Sequence, residues 1–346
     1  MTAPKPDPQD RTSLNQTGFR PVDVAALVEG ARRRKVRAIA RLLSLVEDAH
    51  PQLREIASAL TPHAGGARII GLTGPPGVGK STLTSMLITA LRNEGNRVGV
   101  LAIDPSSPFS GGALLGDRIR MTHHSTDPGV FIRSMATRGH LGGLSWATPQ
   151  AVRVLDAAGF DVILIETVGV GQSEVEIVKL ADTTMVLLAP GLGDAVQAAK
   201  AGVLEIADIF VVNKADREGA DDVVSDLKYM ISFGRADPAG PSWRPPVVKT
   251  VAAQGDGSDD VLAALHKHHD WLVRYDELAG RRARRAAGEI EAIVLDRLRS
   301  QLEDMPGGEQ LSDVARTVVD RALDPYAAAD KLLATLGLKP APRSYA

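Results

Sequence analysis

A lysine and a serine end a glycine-rich stretch in the order expected of a loop that holds phosphate groups. The stretch fits G-x-x-x-x-G-K-[ST], in which glycines let backbone N–H groups turn toward an anion and lysine adds positive charge. Its members are Gly74, Pro75, Pro76, Gly77, Val78, Gly79, Lys80, Ser81 and Thr82. We predict that these residues bind a nucleotide, that Lys80 also acts in catalysis, and that the Ser81 hydroxyl binds Mg²⁺, which prefers oxygen ligands.

A second short motif predicts which base is bound. Asn213, Lys214 and Asp216 follow an apolar segment, residues 209–212, in the pattern N-K-x-D. A carboxylate here accepts from both N1–H and the exocyclic amine of guanine, whereas adenine would leave a buried carboxylate unpaired. Loops at the carboxyl ends of strands line the ligand crevice of doubly wound sheets. The motif therefore favours GTP or GDP as the bound nucleotide.

Three carboxylates lie between the two motifs. Asp104 ends an apolar segment, Asp117 lies in a glycine-rich stretch, and Glu166 ends another apolar segment shortly before Gly169. Mg²⁺ is usually held by one or two carboxylates together with phosphate oxygens and water. We predict all three carboxylates as magnesium ligands and two of them, Asp117 and Glu166, as catalytic, leaving open which one orients water. The backbone N–H of Gly169 is predicted to meet the γ-phosphate.

The elements that must position these residues alternate between strand and helix patterns. Apolar, β-type segments occur at residues 69–73, 98–104, 130–132, 162–165, 184–189, 209–213 and 247–250. Helical patterns separate most of them, which is typical of βαβ units and a parallel sheet covered on both faces. We predict an α/β fold of the P-loop NTPase type with a doubly wound, mostly parallel sheet.

The flanks of this region differ in pattern from its centre. Residues 1–20 are rich in proline and polar residues and are predicted to be a disordered tail. Residues 21–66 are predicted to form an N-terminal helical extension, in which Val36, Ile39, Leu42 or Leu43, and Val46 make the apolar face. The P-loop domain is predicted over residues 67–257, and a C-terminal helical region over residues 258–346.

Two groups of basic side chains, one of arginines and one of histidines, are predicted to lie at the protein surface. The arginines of the N-terminal extension fall on one helix face and are predicted to be solvent-exposed. They are Arg32, Arg33, Arg34, Arg37 and Arg41. Five histidines lack the carboxylate or cysteine neighbours of a metal site, so we predict surface histidines. They are His123, His124, His266, His268 and His269.

Composition argues against several other classes of protein. Lysine and arginine number 40, aspartate and glutamate 42, so the net charge is −2 and provides no basic field for nucleic acid. Cysteine is absent, which removes disulfides, thiol catalysis and thiolate metal sites. The sequence contains no apolar run long enough to span a membrane, and its first twenty residues do not resemble a signal peptide. We expect a cytoplasmic protein that binds neither nucleic acid nor membrane.

On these residues the chain resembles the MeaB/ArgK family of P-loop GTPases. The matching stretches are GPPGVGKST, DPSSPFSGGALLGDRIRM, FIRSMATRGHLGG, GFDVILIETVGVGQSE, NKAD and LDPYAAADKLL. The resemblance implies membership of the SIMIBI class, which includes the signal-recognition and metallochaperone GTPases. It further implies a G-protein chaperone of adenosylcobalamin-dependent methylmalonyl-CoA mutase. Such a chaperone uses GTP binding and hydrolysis to gate cofactor delivery to the mutase and to protect or reactivate it.

The resemblance also implies a homodimer formed through C-terminal helices, for which residues 311–336 are available. It implies a switch loop in which Asp194 and Lys200 couple the nucleotide state to the mutase. Many small GTPases carry glutamine directly after Asp-x-x-Gly, whereas here Glu166 replaces the aspartate and the nearest glutamine is Gln172. We therefore expect slow hydrolysis that a partner stimulates. Two alternatives stay open, a nickel or zinc metallochaperone GTPase and a P-loop kinase of small molecules.

Overall fold

The fold was analysed in a computed structural model of the chain. It describes residues 21–104, 122–124, 126–136, 147–167, 173–191, 206–233, 242–303, 311–335 and 337. The chain divides into two compact units, Met1–Ala283 and Arg284–Ala346. The predicted tail lies outside the described residues, and the four predicted segments of the chain stay a prediction.

One parallel sheet organises the first unit. Within the described residues its strands are β1 (Arg68–Thr73), β2 (Val98–Asp104), β3 (Val130–Ala136), β4 (Val162–Thr167), β5 (Thr183–Leu188), β6 (Ile209–Asn213) and β7 (Val247–Thr250). Their order is β3-β2-β4-β1-β5-β6-β7, and every neighbouring pair is parallel. The predicted doubly wound α/β fold is confirmed. Strands β2, β6 and β7 begin and end where predicted, whereas β3 continues to Ala136 instead of ending at Ile132.

Helices cover both faces of the sheet. Those described are α1 (Val24–Arg32), α2 (Val36–Glu47), α3 (Leu53–Leu60), α4 (Lys80–Asn93), α5 (Ala147–Ala157), α6 (Ser173–Leu180), α7 (Ala220–Phe233), α8 (Ser258–Arg274), α9 (Glu277–Glu303), α10 (Leu311–Val319) and α11 (Pro325–Thr335). Helices α1–α3, α5 and α6 pack on one face, and α4 and α8 pack on the other. The chain therefore crosses from one face to the other as it runs through the strands, as in other doubly wound sheets.

Alternate residues of the central strand β4 enter opposite cores. Ile163 and Ile165 pack with the helices of the N-terminal extension and α5, whereas Val162 and Leu164 pack with α4 and α8. Burial of each such side chain contributes about 1.5–3 kcal/mol relative to exposure. A strand covered on both faces favours apolar residues at successive positions, which explains the continuous apolar sequence of residues 162–165.

The N-terminal extension forms helices α1, α2 and α3. The carboxylate of Asp23 caps α1 by accepting the backbone N–H of Ala26 at 2.9 Å. The predicted apolar face of α2 is buried from Ile39 to Val46, and the five arginines of this region are exposed, as predicted. The prediction for Val36 is wrong, because its side chain is 62% exposed at the first residue of α2.

One histidine prediction is also wrong. His268 is fully buried, since it lies on the stripe of α8 formed with Leu265 and Leu272 that faces the protein interior. Its Nδ1 atom lies 2.9 Å from the hydroxyl of Thr183, and its Nε2 atom lies 3.3 Å from a carboxylate oxygen of Asp208. The other histidines named above are exposed or partly exposed, as predicted.

Two arginines at the start of α9 bind two buried aspartates at the amino-terminal edge of the sheet. Arg281 forms a bidentate pair with Asp208 at 2.8 Å for each N–O contact, and Arg282 donates to Asp182 at 3.1 Å. Burial raises the pKa of Asp208, but hydrogen bonding and charge from His268 and Arg281 outweigh burial and hold the pKa below its usual value. The pKa of Arg281 is raised, because Asp208 outweighs the opposing effect of burial. Asp208 is therefore ionised and paired with Arg281, while Asp182 is paired with Arg282.

The second unit contains α10 and α11, and the division between the units falls within α9. Val314 and Ala328 are buried. Asp324 caps α11 by accepting the N–H groups of Tyr326 and Ala327, which confirms the predicted cap. Several apolar side chains of this unit are exposed. They are Ile290, Ile293, Val294, Leu295, Leu311, Val319 and Tyr326. Among the helices described, none has the length and apolar character that crossing a membrane requires.

Candidate nucleotide site

The phosphate loop connects β1 to α4 and needs glycine at both of its ends. Gly74 has a φ of 143°, and a Cβ atom there would lie 2.3 Å from the carbonyl oxygen of Leu187 in β5. Gly79 has a φ of 96°, and a Cβ atom there would lie 2.5 Å from the amide nitrogen of Asn213. Residues other than glycine rarely adopt such φ values, and neither position has space for a side chain.

Two lysines bind the carbonyl groups of this loop. Lys80 Nζ donates to the carbonyls of Gly74 at 2.7 Å and Pro75 at 3.0 Å, and the Lys80 residue is buried. Lys214 Nζ donates to the carbonyl of Gly77 at 2.6 Å. The N-terminus of α4 adds the partial positive charge of a helix end. Two ammonium groups and a helix N-terminus therefore surround the loop, which is the electrostatic setting that a polyphosphate requires.

Ser81 and Thr84 of α4 contact one buried carboxylate in β4. The Ser81 hydroxyl donates to Glu166 Oε1 at 2.7 Å, and Thr84 Oγ1 lies 3.0 Å from Glu166 Oε2. Glu166 is 4% exposed. Sequence analysis did not identify Thr84. The available signal was its spacing three residues after Ser81, which places both hydroxyls on one helix face.

This donor set fits Mg²⁺. A hydroxyl hydrogen-bonded to a buried carboxylate suits an ion that is held by few protein oxygens and keeps phosphate and water ligands. Asp104 is the last residue of β2, and the residue before it, Ile103, pairs with Thr167 of β4. The backbone of Asp104 therefore lies at the same carboxyl edge of the sheet as Glu166. Asp117, another predicted magnesium ligand, lies outside the described residues.

The predicted base-binding motif connects the phosphate loop to the end of β7. Asn213 Nδ2 donates to the carbonyl of Val78 at 2.8 Å. Asn213 Oδ1 accepts from the hydroxyl of Thr250 and from the backbone N–H of Ala252, each at 3.1 Å. Sequence analysis did not identify Thr250 or Ala252, because no local pattern indicates that the turn after β7 meets this asparagine.

Asp216 is exposed at the carboxyl end of β6. Within the part of the chain that the structure describes, it makes no hydrogen bond or ion pair. The backbone just before Asp216 is fixed: Lys214 has a φ of 59°, and the N–H of Ala215 donates to the carbonyl of Thr250 at 3.0 Å. Such φ values are uncommon for lysine and often mark functional positions. A carboxylate on this fixed turn is available to accept from a base.

The structure brings most of the predicted site residues to one edge of the sheet. Lys80, Ser81, Glu166 and Asn213 are joined directly or through the phosphate loop. Thr82 is exposed on α4. Four predicted residues lie outside the described part of the chain. They are Asp117, Gly169, Asp194 and Lys200.

A parallel, doubly wound sheet with a Lys-Ser phosphate loop after β1 and an Asn-Lys-x-Asp turn after β6, both at its carboxyl edge, defines a P-loop GTPase. The model of one family, "Methylmalonyl Co-A mutase-associated GTPase MeaB", matches residues 39–306. The chain belongs to this family of GTPases.

Relatives along most of the chain agree with this membership. A Pyrococcus abyssi protein whose name describes it as a GTPase is 51% identical over 89% of this chain and 95% of its own length. The mouse protein "Methylmalonic aciduria type A homolog, mitochondrial" is 34% identical over 89% of this chain and 77% of its own. The GTPase ArgK of Escherichia coli is 35% identical over 70% of this chain and 76% of its own.

A solved structure has the same fold. The crystal structure of an LAO/AO transport system kinase aligns with a TM-score of 0.70 over 92% of this chain and 99% of that one. The two sequences are 24% identical, so this likeness concerns the fold alone.

Proposed function

We propose that this chain uses GTP binding and hydrolysis to gate adenosylcobalamin delivery to methylmalonyl-CoA mutase, and to protect or reactivate that enzyme. The observation that carries the proposal is the match of residues 39–306 to a family described by its association with that mutase. The name of the mouse relative refers to methylmalonic aciduria, which supports the same metabolic link.

Within this proposal the phosphate loop binds GTP and Lys80 neutralises charge that develops on the phosphates during hydrolysis. Ser81, Asp104, Asp117 and Glu166 are the proposed magnesium ligands, and Mg²⁺ supplies further charge neutralisation on the phosphate oxygens. Glu166 or Asp117 orients the attacking water, and the backbone N–H of Gly169 meets the γ-phosphate.

The base is selected by the turn after β6. Asp216 accepts from N1–H and the exocyclic amine of guanine, while Lys214 and Asn213 hold this turn against the phosphate loop through Gly77 and Val78. One rigid connection therefore fixes the distance between base and phosphates, which lets the protein recognise both parts of the same nucleotide.

The proposed switch residues, Asp194 and Lys200, follow β5 along the chain. The carbonyl of Leu187 near the end of this strand is so close to Gly74 that a Cβ atom on the glycine would lie 2.3 Å from it. A shift of the phosphate loop on nucleotide binding would therefore push on the strand that leads to these residues. This contact supports the proposed coupling between nucleotide state and partner binding.

We also propose that the chain forms a homodimer through its C-terminal helices and acts in the cytoplasm. The exposed apolar side chains of the second unit support dimerisation, since Val319 is 80% exposed and Ile290 is 63% exposed. Light scattering of the pure chain tests this part of the proposal, with a dimer mass expected. A monomer at all concentrations would contradict it.

No observation favours the two alternative functions. Among the described residues, no group of three or more histidine, aspartate or glutamate side chains is arranged to hold a metal ion. The Asn-Lys-x-Asp turn argues against a small-molecule kinase, because this motif favours guanine nucleotides over ATP. ATP preference together with ADP formation that depends on a metabolite would support the kinase.

Capture of a B12-dependent methylmalonyl-CoA mutase by the immobilised chain tests the main proposal. We expect capture to depend on whether GTP, GDP or no nucleotide is present. The Lys80→Ala variant provides the matched control, because it keeps the surface but weakens nucleotide binding, and its capture should respond little to GTP. Equal capture in all conditions would contradict gating, and no capture would contradict the partner.

A further inference from the structure

Both oxygens of the Glu166 carboxylate are contacted by hydroxyl groups of α4. Ser81 Oγ donates to Oε1 at 2.7 Å, and Thr84 Oγ1 lies 3.0 Å from Oε2. The three residues are 6% (Ser81), 0% (Thr84) and 4% (Glu166) exposed, so solvent has little access to them. Because Ser81 and Thr84 are three positions apart on one helix face, each of them contacts a different oxygen of the carboxylate.

The Thr84 hydroxyl has one proton and two acceptors. Its Oγ1 atom is 3.0 Å from Glu166 Oε2 and 3.0 Å from the carbonyl oxygen of Lys80. A charged carboxylate is the stronger acceptor, and the Lys80 carbonyl already receives the backbone N–H of Thr84 within the helix. The Thr84 proton is therefore directed to Glu166.

This arrangement fixes the direction of the Ser81 hydroxyl. A hydroxyl that donates its single proton to Oε1 turns its lone pairs away from the carboxylate. Those lone pairs are what a magnesium ion would use. If Glu166 rotated about its last side-chain bond, the hydrogen bond from Ser81 to Oε1 would break and the Ser81 lone pairs would turn from this direction. The contact from Thr84 to Oε2 opposes that rotation.

We propose that Thr84 is a positioning residue of the magnesium site, acting through Glu166 to orient the Ser81 hydroxyl. The proposal rests on the proposed binding of Mg²⁺ with a guanine nucleotide. Residues behind metal ligands commonly change metal affinity by about 10- to 100-fold when replaced. We therefore expect about a tenfold loss of magnesium affinity when the Thr84 hydroxyl is removed.

Release of fluorescent mant-GDP at increasing Mg²⁺ concentrations measures this effect without relying on turnover. For Thr84→Val, which keeps the side-chain shape, the Mg²⁺ concentration that half-maximally slows release should rise about tenfold. Thr84→Ser keeps the hydroxyl and should restore a value within about twofold of the original. With EDTA, all variants should release mant-GDP at the same rate.

Thr89→Val is the matched control. Thr89 is on the same helix, and its hydroxyl donates to the carbonyl of Ser85 four residues earlier, as the Thr84 hydroxyl is placed to do with Lys80. Unlike Thr84, Thr89 is exposed and its hydroxyl contact is confined to its own helix. Its replacement should leave the magnesium dependence unchanged.

A Glu166→Ala background tests whether Thr84 acts through Glu166, because it removes both carboxylate oxygens, and it avoids a buried charge that could prevent Thr84→Val from folding. Adding Thr84→Val to Glu166→Ala should cause no further loss of magnesium affinity. A further loss, an unchanged magnesium dependence in folded Thr84→Val, or a failure of Thr84→Ser to restore it would each overturn the proposal. Failure of the unaltered chain to bind mant-GDP would instead refute the proposed nucleotide binding.

Discussion

Asn213 donates its side-chain amide to the backbone carbonyl of Val78 at 2.8 Å, so the first residue of the base-binding motif is bonded directly to the phosphate loop. The same side chain accepts two hydrogen bonds from the end of β7 and the turn after it. Asn213 therefore fixes three segments of the site together, and its replacement tests how much the site depends on this connection.

Asn213→Ala should lower the free energy of unfolding by about 2–3 kcal/mol, because buried polar groups on three segments lose their partner. The measurement is urea unfolding monitored by circular dichroism, with GDP affinity determined in parallel. Asn93→Ala, an exposed asparagine at the end of α4, should change stability by less than about 0.5 kcal/mol. Equal stabilities for the two variants would show that the connection contributes little.

Lys80→Ala should abolish GTP turnover and weaken GTP binding about 10- to 100-fold, because a charge-assisted hydrogen bond to phosphate contributes about 1.5–3 kcal/mol. Calorimetric titration with GTP and a phosphate-release assay measure the two effects. Lys249→Ala is the control, since Lys249 forms an exposed ion pair with Asp221 and should have no effect on either quantity. Normal kinetics in the Lys80 variant would refute the assigned phosphate site.

Asp216→Asn should shift preference from guanine to xanthine nucleotides. The 2-keto group of xanthine accepts a hydrogen bond where the guanine amine donates one, so the amide of asparagine suits xanthine. GTP affinity should fall about 100-fold or more, since two charge-assisted hydrogen bonds of at least about 1.5 kcal/mol each are lost. Competition between GTP and XTP measures the shift, and Glu218→Gln on the same exposed turn is the control. Retained GTP selectivity would show that another residue reads the base.

The stability that Asp208 provides should depend on pH. The pKa of Asp208 is lowered in the folded protein, so the unfolded state binds more protons as the pH falls. Its contribution should be complete above the ordinary aspartate pKa of about 3.9 and be lost progressively as the pH falls through the lower, folded value.

Urea unfolding between neutral pH and about pH 3 measures this dependence. The stability difference between the unaltered chain and Asp208→Asn should shrink at the acid end. Asp221→Asn, whose side chain is 87% exposed, should show no such trend. A difference that stays constant across the range would mean that the Asp208 carboxylate has the same pKa in both states.

Sequence patterns predicted the sheet well because its strands are buried on both faces. The mostly apolar segments that became β2 and β6 have no competing helical period, so even their ends were predicted. The end of β3 was missed, because Arg133 and Ser134 are polar residues that a strand near the edge of the sheet accommodates.

The site was predicted where its chemistry is local and missed where it depends on tertiary contacts. The phosphate loop and the base-binding turn are contiguous motifs, so their sequences alone indicated them. Thr84 and Ala252 contribute through contacts with residues far along the chain, and no short pattern encodes those contacts.

The burial of His268 was missed for a different reason, because the sequence did contain a pattern that indicates a buried position. It stands between Leu265 and Leu272 at helical spacing, which is the position of a buried residue. The surface prediction rested instead on the absence of the carboxylate or cysteine neighbours that a metal site requires. The buried hydroxyl and carboxylate that make this burial possible, Thr183 and Asp208, precede it by many residues and could not be matched to it from the sequence.

The pairing of Arg281 and Arg282 with Asp208 and Asp182 has a consequence for how the catalytic part of the chain can be produced in isolation. A polypeptide truncated before Arg281 would retain every nucleotide-binding motif, but the buried side chains of Asp208 and Asp182 would lose their arginine partners. We expect such a fragment to aggregate or to require high salt, whereas one that extends beyond these arginines should behave as an autonomous folding entity.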